Sequence, residues 1–452
     1  HLIALSYFMF GDNDFSARIP FALASIATIA FLWNYRRYLG RAGALVAAFL
    51  LLISPYMLYY GRYVRNEALV ALFGVMTLWA ILRYLETGRP RYMYWLTAAS
   101  ILHFIAKETA FIYTAQALIF LAVFFIIRVF RAPWTRPEDR RRFMAALIVA
   151  VIPLVAVAGF GLLHLNEDAA SATETAEPAV PGQELPLVEP GLSFSPVLIL
   201  LPVAVLALLG AAYFLARGYT LPRLRSERSL DLLVLLGTLV LPMLAPFPIK
   251  FLGWDPTDYS YQGMLRTALF LAPLGLAAAG IGWWWQGRLW LGNAALFYGV
   301  FTLFYTTFFT NGNGFFTGLV GGLGYWLNQQ AVHRGEQPWY YYIFLQVPVY
   351  EYLPALGSLV AVYLGLRGQA NPSSNPADNP ANGPVLEVEE TATWQALVDG
   401  APEDSGAAAP GSRLAITLIG FWIISSIFAY TYAGEKMPWL TVHIALPMIL
   451  MA

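Results

Sequence analysis

The chain has 452 residues, of which 58% are hydrophobic, 15% aromatic and only 12% charged, against about 25% charged in ordinary soluble domains; a soluble globular protein is excluded. Lys plus Arg and Asp plus Glu are equal at 27 each, so no bulk excess points to nucleic acid and the distribution of charge carries the electrostatic argument. The absence of Cys excludes disulfides and thiolate metal sites.

The sequence opens at His1 without Met or a charged leader and stops at Ala452 inside an apolar run, so both ends are expected to be truncated. A short stub at 1–16 precedes the first apolar run. Runs of the roughly 18 to 25 residues that cross a bilayer recur at 17–34, 42–60, 67–85, 110–129, 143–164 and 194–216. They continue at 229–250, 265–285, 290–310, 340–366 and 413–431. A shorter run at 92–106 and a cut-off run from about 439 bring the expected count to thirteen. The fold class is an all-α polytopic membrane protein.

Cytoplasmic loops concentrate Lys and Arg. Assigning alternate loops to two sides places 19 of the 27 on one side, all of them Arg, and that side is expected to be cytoplasmic. Reading 92–130 as one span would invert every later loop and put the arginine-rich 131–142 segment outside, so the break at His103–Glu108 follows from the same rule. All three lysines, Lys107, Lys250 and Lys436, fall on the outer side, where topology does not ask for them. Two stretches read as unstructured linkers: 166–192, acidic and outside, and 367–412, inside. The expected organisation is a membrane core over 1–366, the 367–412 cytoplasmic linker, and the last spans at 413–452.

Five polar patches gather on the outer side. In GRYVRNEA, 61–68, Arg62 and Arg65 would share a face if helical and form a fork for phosphate oxygens beside Glu67; alternatively Asn66 caps the helix and Glu67 complements its dipole. HFIAKETAF, 103–111, places His103 and Lys107 four apart, with Glu108 adjacent. They interrupt a long apolar stretch, where an unpaired charge costs about 2.5 to 3.5 kcal/mol. WDPTDYSYQ, 254–262, carries Asp255 and Asp258, suited to a hard divalent cation or to ordinary turn chemistry. The 311–339 stretch joins NGNGFFTG to His333, Arg334, Glu336 and the aromatic run from Trp339, and reads as a glycine-rich covering loop. YTYAGEKMPW, 430–439, contributes Glu435 and Lys436. Charges gathered at one face suit a polar chamber at the membrane surface rather than a path through its middle.

At GRYVRNE, HFIAKETAF, the NGNG to PWYYY stretch and AGEKMPW, the sequence resembles the flippase-activity-associated proteins of bacteria and archaea, relatives of dolichyl-phosphate-mannose protein mannosyltransferases among the GT-C glycosyltransferases. The resemblance implies a GT-C-like helical bundle in the plasma membrane that moves a sugar from a polyprenyl-phosphate donor to a glycan, lipid or protein acceptor outside the cytoplasm. Membrane lipids are its surroundings, and no nucleic-acid partner is implied. The family's first outer loop carries an essential acid, expected upstream of His1, while the 1–14 stub resembles the juxtamembrane helix after it. Glu67 matches a second acidic position and is the expected catalytic residue of this stretch, assisting the upstream acid or holding a metal, and Lys107 matches the place of a phosphate-binding cation. Substrate contacts are expected from Arg62, Arg65, His103, Lys107, Glu108, Asp255, Asp258, His333, Arg334, Trp339, Glu435 and Lys436. Glu67, Asp255 and Asp258 are the candidates should a divalent cation be needed. The rival readings are a transporter or flippase of lipid-linked glycans, which would place its site near the midplane on broken helices, and a noncatalytic assembly subunit.

Overall fold

The computed structural model describes residues 1–174, 197–329, 337–370, 410–433 and 436–452. Among them the regular structure is entirely helical. In chain order the helices are α1 (Leu2–Phe10), α2 (Asp14–Phe31), α3 (Arg36–Ile53), α4 (Pro55–Tyr60), α5 (Glu67–Thr87), α6 (Arg91–Ala106) and α7 (Ala110–Arg131). They continue as α8 (Pro137–Glu174), α9 (Val197–Leu215), α10 (Leu221–Leu224), α11 (Arg228–Val240), α12 (Pro246–Phe251), α13 (Tyr261–Gln286), α14 (Arg288–Tyr305) and α15 (Asn313–Gln329). The last are α16 (Val347–Tyr350), α17 (Tyr352–Ala370), α18 (Pro410–Tyr432) and α19 (Thr441–Met451).

Among the described residues six helical segments are long and apolar enough to cross a membrane: Asp14–Ile53, Glu67–Thr87, Ala110–Arg131, Pro202–Leu224, Tyr261–Gln286 and Arg413–Tyr432. A seventh is a broken pair, Tyr341–Tyr350 and Tyr352–Leu364, bent by 104°. Asp14–Ile53 has 40 residues, about 60 Å of helix or twice a bilayer core. It is interrupted at Gly40, whose φ of 75° and ψ of 169° leave the helical region at little steric cost to glycine. That segment therefore contains the expected 17–34 run and the first part of the 42–60 run, whose remainder follows Ser54 in α4. Other expected runs fall on shorter helices, such as the 16 residues of α6.

Three expected boundaries shift. The 340–366 run is not one helix: it breaks at Glu351, which lies between Pro348 and Pro354, residues that disfavour a continuous helix. The stretch read as a linker from 166 is helical as far as Glu174. Of the second linker, 367–370 and 410–412 belong to α17 and α18, and 371–409 lies outside the described residues.

The chain forms two compact units, His1–Gln116 with Gly335–Ala452, and Ala117–Arg334. In the first, α5 is the central element: Val70, Val75, Leu78, Ala80, Ile81 and Leu82 are essentially inaccessible. Its first turn packs Ala68 against Phe21 and Ala24 of α2. Asn13 and Ser16 close a reciprocal capping box that starts α2, satisfying donors a helix start leaves unpaired. A second cluster joins Tyr341, Tyr342 and Val347 to Tyr430, Leu440, Ile444 and Met448.

In the second unit, Phe125, Val129, Phe143, Leu215 and Tyr219 form the apolar cluster. Beside it, Glu227 accepts from Arg128 Nε at 2.9 Å and from the Tyr219 hydroxyl at 2.7 Å.

Candidate functional site

Glu67 is the first residue of α5, where a carboxylate complements the positive end of the helix dipole, and it is 1% exposed. Lys107 Nζ lies 2.5 Å from its Oε1 and Arg65 Nε 3.4 Å from its Oε2. The guanidinium of Arg65 in turn covers the ring of Trp439, 3.6 Å from its centroid. Both carboxylate oxygens thus hold cations. This is the geometry of a carboxylate that orients charges, and the enclosed setting strengthens each contact relative to water.

Local backbone structure explains how these side chains meet. Helix α4 ends at Tyr60, and Gly61 sits so close to its neighbours that a Cβ would fall 2.5 Å from both the Met57 carbonyl oxygen and Ser25 Oγ. Residues 61–66 then form irregular turns. Arg62 and Arg65 consequently do not share a helical face. Arg62 is exposed, with Nε donating to the Leu58 carbonyl at 3.3 Å, while Arg65 turns inward. Asn66 occupies the N-cap position of α5, yet its amide donates to the Ala106 carbonyl at 2.6 Å rather than capping.

The 103–111 segment departs from expectation in the same way. Helix α6 ends at Ala106 and Lys107 is extended, φ −163° and ψ 149°, so His103 and Lys107 leave the backbone in different directions. Lys107 reaches Glu67. His103 is buried, 2% exposed, and its Nε2 lies 3.1 Å from Thr109 Oγ1. Glu108 is exposed and stands apart from the pair.

Glu67 also lines a narrow crevice with Ser25, Thr28, Met57, Tyr60 and Val442. Lys436, in the turn before Trp439, is half-buried, and burial holds its ammonium below the usual lysine range. The preceding Glu435 lies outside the described residues, as do His333 and Arg334. Trp339 is 64% exposed and packs against Tyr340 and Phe344.

Asp255 and Asp258 belong to the second unit. Asp255 Oδ1 accepts from Thr257 N and Oγ1 at 2.8 and 2.7 Å and from Asn328 Nδ2 at 3.1 Å. Asp258 Oδ1 accepts from Ser260 N at 2.9 Å. These are turn and loop contacts, and the Thr257 and Ser260 hydrogen bonds hold the two carboxyls below their usual range. The loop packs on a glycine face of α15, where a Cβ on Gly321 would lie 2.6 Å from the Tyr259 hydroxyl. The NGNG stretch is likewise no open loop: from Asn313 to Gln329 it is helix. Among the described residues no three His, Asp or Glu side chains gather as metal ligands. The Glu67 oxygens meet cations, and Asp255 Oδ1 accepts from three donors.

Two buried groups escaped the sequence reading. Glu351, at the elbow of the broken helix, is inaccessible; its Oε1 accepts from Ser54 Oγ at 2.6 Å and Tyr56 N at 3.1 Å. Its signal was a carboxylate between two prolines within an apolar run. His443 of α19 is also inaccessible, with Nδ1 3.1 Å from the Tyr113 hydroxyl.

No curated protein and no solved structure matches the chain. A model of the family described as dolichyl-phosphate-mannose-protein mannosyltransferase matches residues 1–158, the stretch that contributes Glu67, Arg65 and Lys107.

Proposed function

We propose that this chain is a membrane glycosyltransferase of the GT-C type, taking a sugar from a polyprenyl-phosphate donor and placing it on an acceptor at the extracytoplasmic face of the plasma membrane. The observation that carries the reading is the buried Glu67 with Lys107 and Arg65 on its two oxygens. The family match over residues 1–158 supports it. When the glycosyl–phosphate bond breaks, negative charge grows on the leaving phosphate, and cations held in place beforehand stabilise that charge most effectively. Lys107 and Arg65 serve this purpose, Glu67 keeps them oriented, and Lys436 adds a third cation. The sidedness rests on the arginine distribution, and the thirteen crossings include the shorter helices.

Sugar transfer from a radiolabelled polyprenyl-phosphate donor by the full-length protein in proteoliposomes tests this. Wild type should transfer, and Glu67→Gln should lose at least a hundredfold with unchanged reconstitution. Equal transfer by the two would remove Glu67 from the mechanism.

Transport is the second reading, favoured by one observation: a helix pair bent by 104° at a fully buried carboxyl, Glu351, the kind of discontinuity transporters use. Passage of a lipid-linked glycan across donor-free vesicles would support it.

A further inference from the structure

Behind Lys107 stands a layer of polar rings that the phosphate site does not itself use. His103 meets Tyr113 edge-on, centroids 4.7 Å apart. The Tyr113 hydroxyl lies 3.1 Å from His443 Nδ1, and His443 stacks on Tyr430 at 4.9 Å with 11° between planes. His443 and Tyr430 are inaccessible or nearly so, and neither His443 Nε2 nor the Tyr430 hydroxyl has a hydrogen-bond partner among the described residues. A layer that only filled space would be cheaper in Phe and Leu, because a buried polar atom without a partner keeps its desolvation cost.

The layer ends at the turn that carries Lys107. Only Lys107–Thr109 separates α6 from α7, so the placement of Lys107 depends on how those two helix ends are held. The Lys107 N–H donates to the His103 carbonyl at 2.9 Å, His103 Nε2 meets Thr109 Oγ1, and Asn66 holds the Ala106 carbonyl. Tyr113 fixes the first turn of α7 against two other helices. Its hydroxyl is met by α19, and its ring lies in a gap on α5 left by Gly74, where a Cβ would fall 2.8 Å from Tyr113 Cε1. Gly74 is seven residues from Glu67, two turns along the same face of α5.

We propose that Tyr113 and His443 are positioning residues: they hold the α6–α7 turn so that Lys107 meets Glu67, which makes α19 part of the phosphate site. The inference rests on the reading of Lys107 as a phosphate-binding cation.

The test is the affinity of the full-length protein in nanodiscs for undecaprenyl phosphate, measured beside the melting temperature. Tyr113→Phe deletes one hydroxyl and keeps the ring; it should weaken binding about tenfold and, because it leaves His443 Nδ1 buried without its partner, lower the melting temperature by a few degrees. His443→Phe should do the same. His443→Asn, whose amide occupies the place of Nδ1, should restore affinity to within about threefold, a rescue that simple packing would not give. Gly74→Ala, which crowds the Tyr113 ring while favouring helix, should resemble Tyr113→Phe. Wild-type affinity in Tyr113→Phe overturns the proposal, and that variant decides should His443→Phe fail to fold. Lys107→Met separates the two levels. If it loses binding while Tyr113→Phe does not, only the positioning role falls; if it binds like wild type, the phosphate reading falls and takes the positioning role with it.

Discussion

The two ends of α5 each carry a carboxylate between cations, about 28 Å apart along the helix at 1.5 Å per residue, and they are built differently. At one end Glu86 receives Arg37 at 2.5 Å, Arg83 at 2.6 Å and the Tyr38 hydroxyl at 3.0 Å, while Tyr92 accepts from Arg83 and Arg91. The Arg37 side chain is 51% exposed, so water screens much of that attraction. At the other end Glu67 is buried and so is most of Lys107, 17% exposed. The difference separates two uses of the same residue types. Glu86 keeps Arg83 when the exposed Arg37 is lost, so that cluster can tolerate the loss of this member, whereas the dehydrated Glu67–Lys107 pair is poised for an anion and a substitution in it is expensive. The choice of cation differs as well: two guanidiniums grip Glu86, whereas Glu67 meets one guanidinium and, more closely, a compact ammonium that suits a phosphate oxygen as a point charge.

The comparison can be broken in graded ways. Sugar transfer should separate the ends most sharply: Glu67→Gln should fall at least a hundredfold, about 3 kcal/mol of transition-state stabilisation, and Glu86→Gln should stay within about twofold. In thermal unfolding, Lys107→Met leaves Glu67 buried with only Arg65 at 3.4 Å and should cost about 3 kcal/mol. Arg37→Met at the exposed end should cost less than about 1 kcal/mol; equal losses would mean that the ends are energetically alike. Trp439→Ala removes the ring beneath Arg65 and should weaken polyprenyl-phosphate binding by roughly 0.5 to 2 kcal/mol, whereas Tyr92→Ala, which removes the ring beneath Arg83 and Arg91 at the Glu86 end, should leave that affinity unchanged.

The smallest expected effect concerns pH. Burial lowers Lys436 from the ordinary lysine value, so an ammonium there is disfavoured in the folded protein. Stability should therefore rise as pH climbs from the lowered value towards the ordinary one. Phosphate binding needs the charged form and should fall over that same window. Lys436→Arg stays charged and should retain affinity to higher pH; identical alkaline profiles would take Lys436 out of the site.

Lys107 was legible in the sequence because a charge that interrupts a long apolar stretch has to be paired or solvated, and Glu67 because it stands with Arg62 and Arg65 at the start of a span; that the two pair with each other is seen only in the structure. Their neighbours were less so. Whether Arg62 and Arg65 share a face, or His103 and Lys107, depends on where a helix stops, and both pairs straddle non-helical backbone. Gly61 and the extended Lys107 decide those stops through contacts with Ser25 and Glu67, distant in sequence. The same limit hid Glu351 and His443, whose partners Ser54 and Tyr113 are hundreds of residues away, so that neither stood out from its apolar run. The all-helical class was legible from composition alone, whereas the break at Glu351 needed the elbow itself.

The central claim is that the Glu67 end of α5 binds the phosphate of a polyprenyl lipid. A photoactivatable polyprenyl phosphate, cross-linked to the full-length protein in nanodiscs and mapped by peptide mass spectrometry, tests it most directly. Labels should fall on 57–71, 103–113 and 436–443 and be competed away by unlabelled polyprenyl phosphate. Labels concentrated instead around Arg37, Arg83 and Arg91, or spread evenly along the spans, would contradict it.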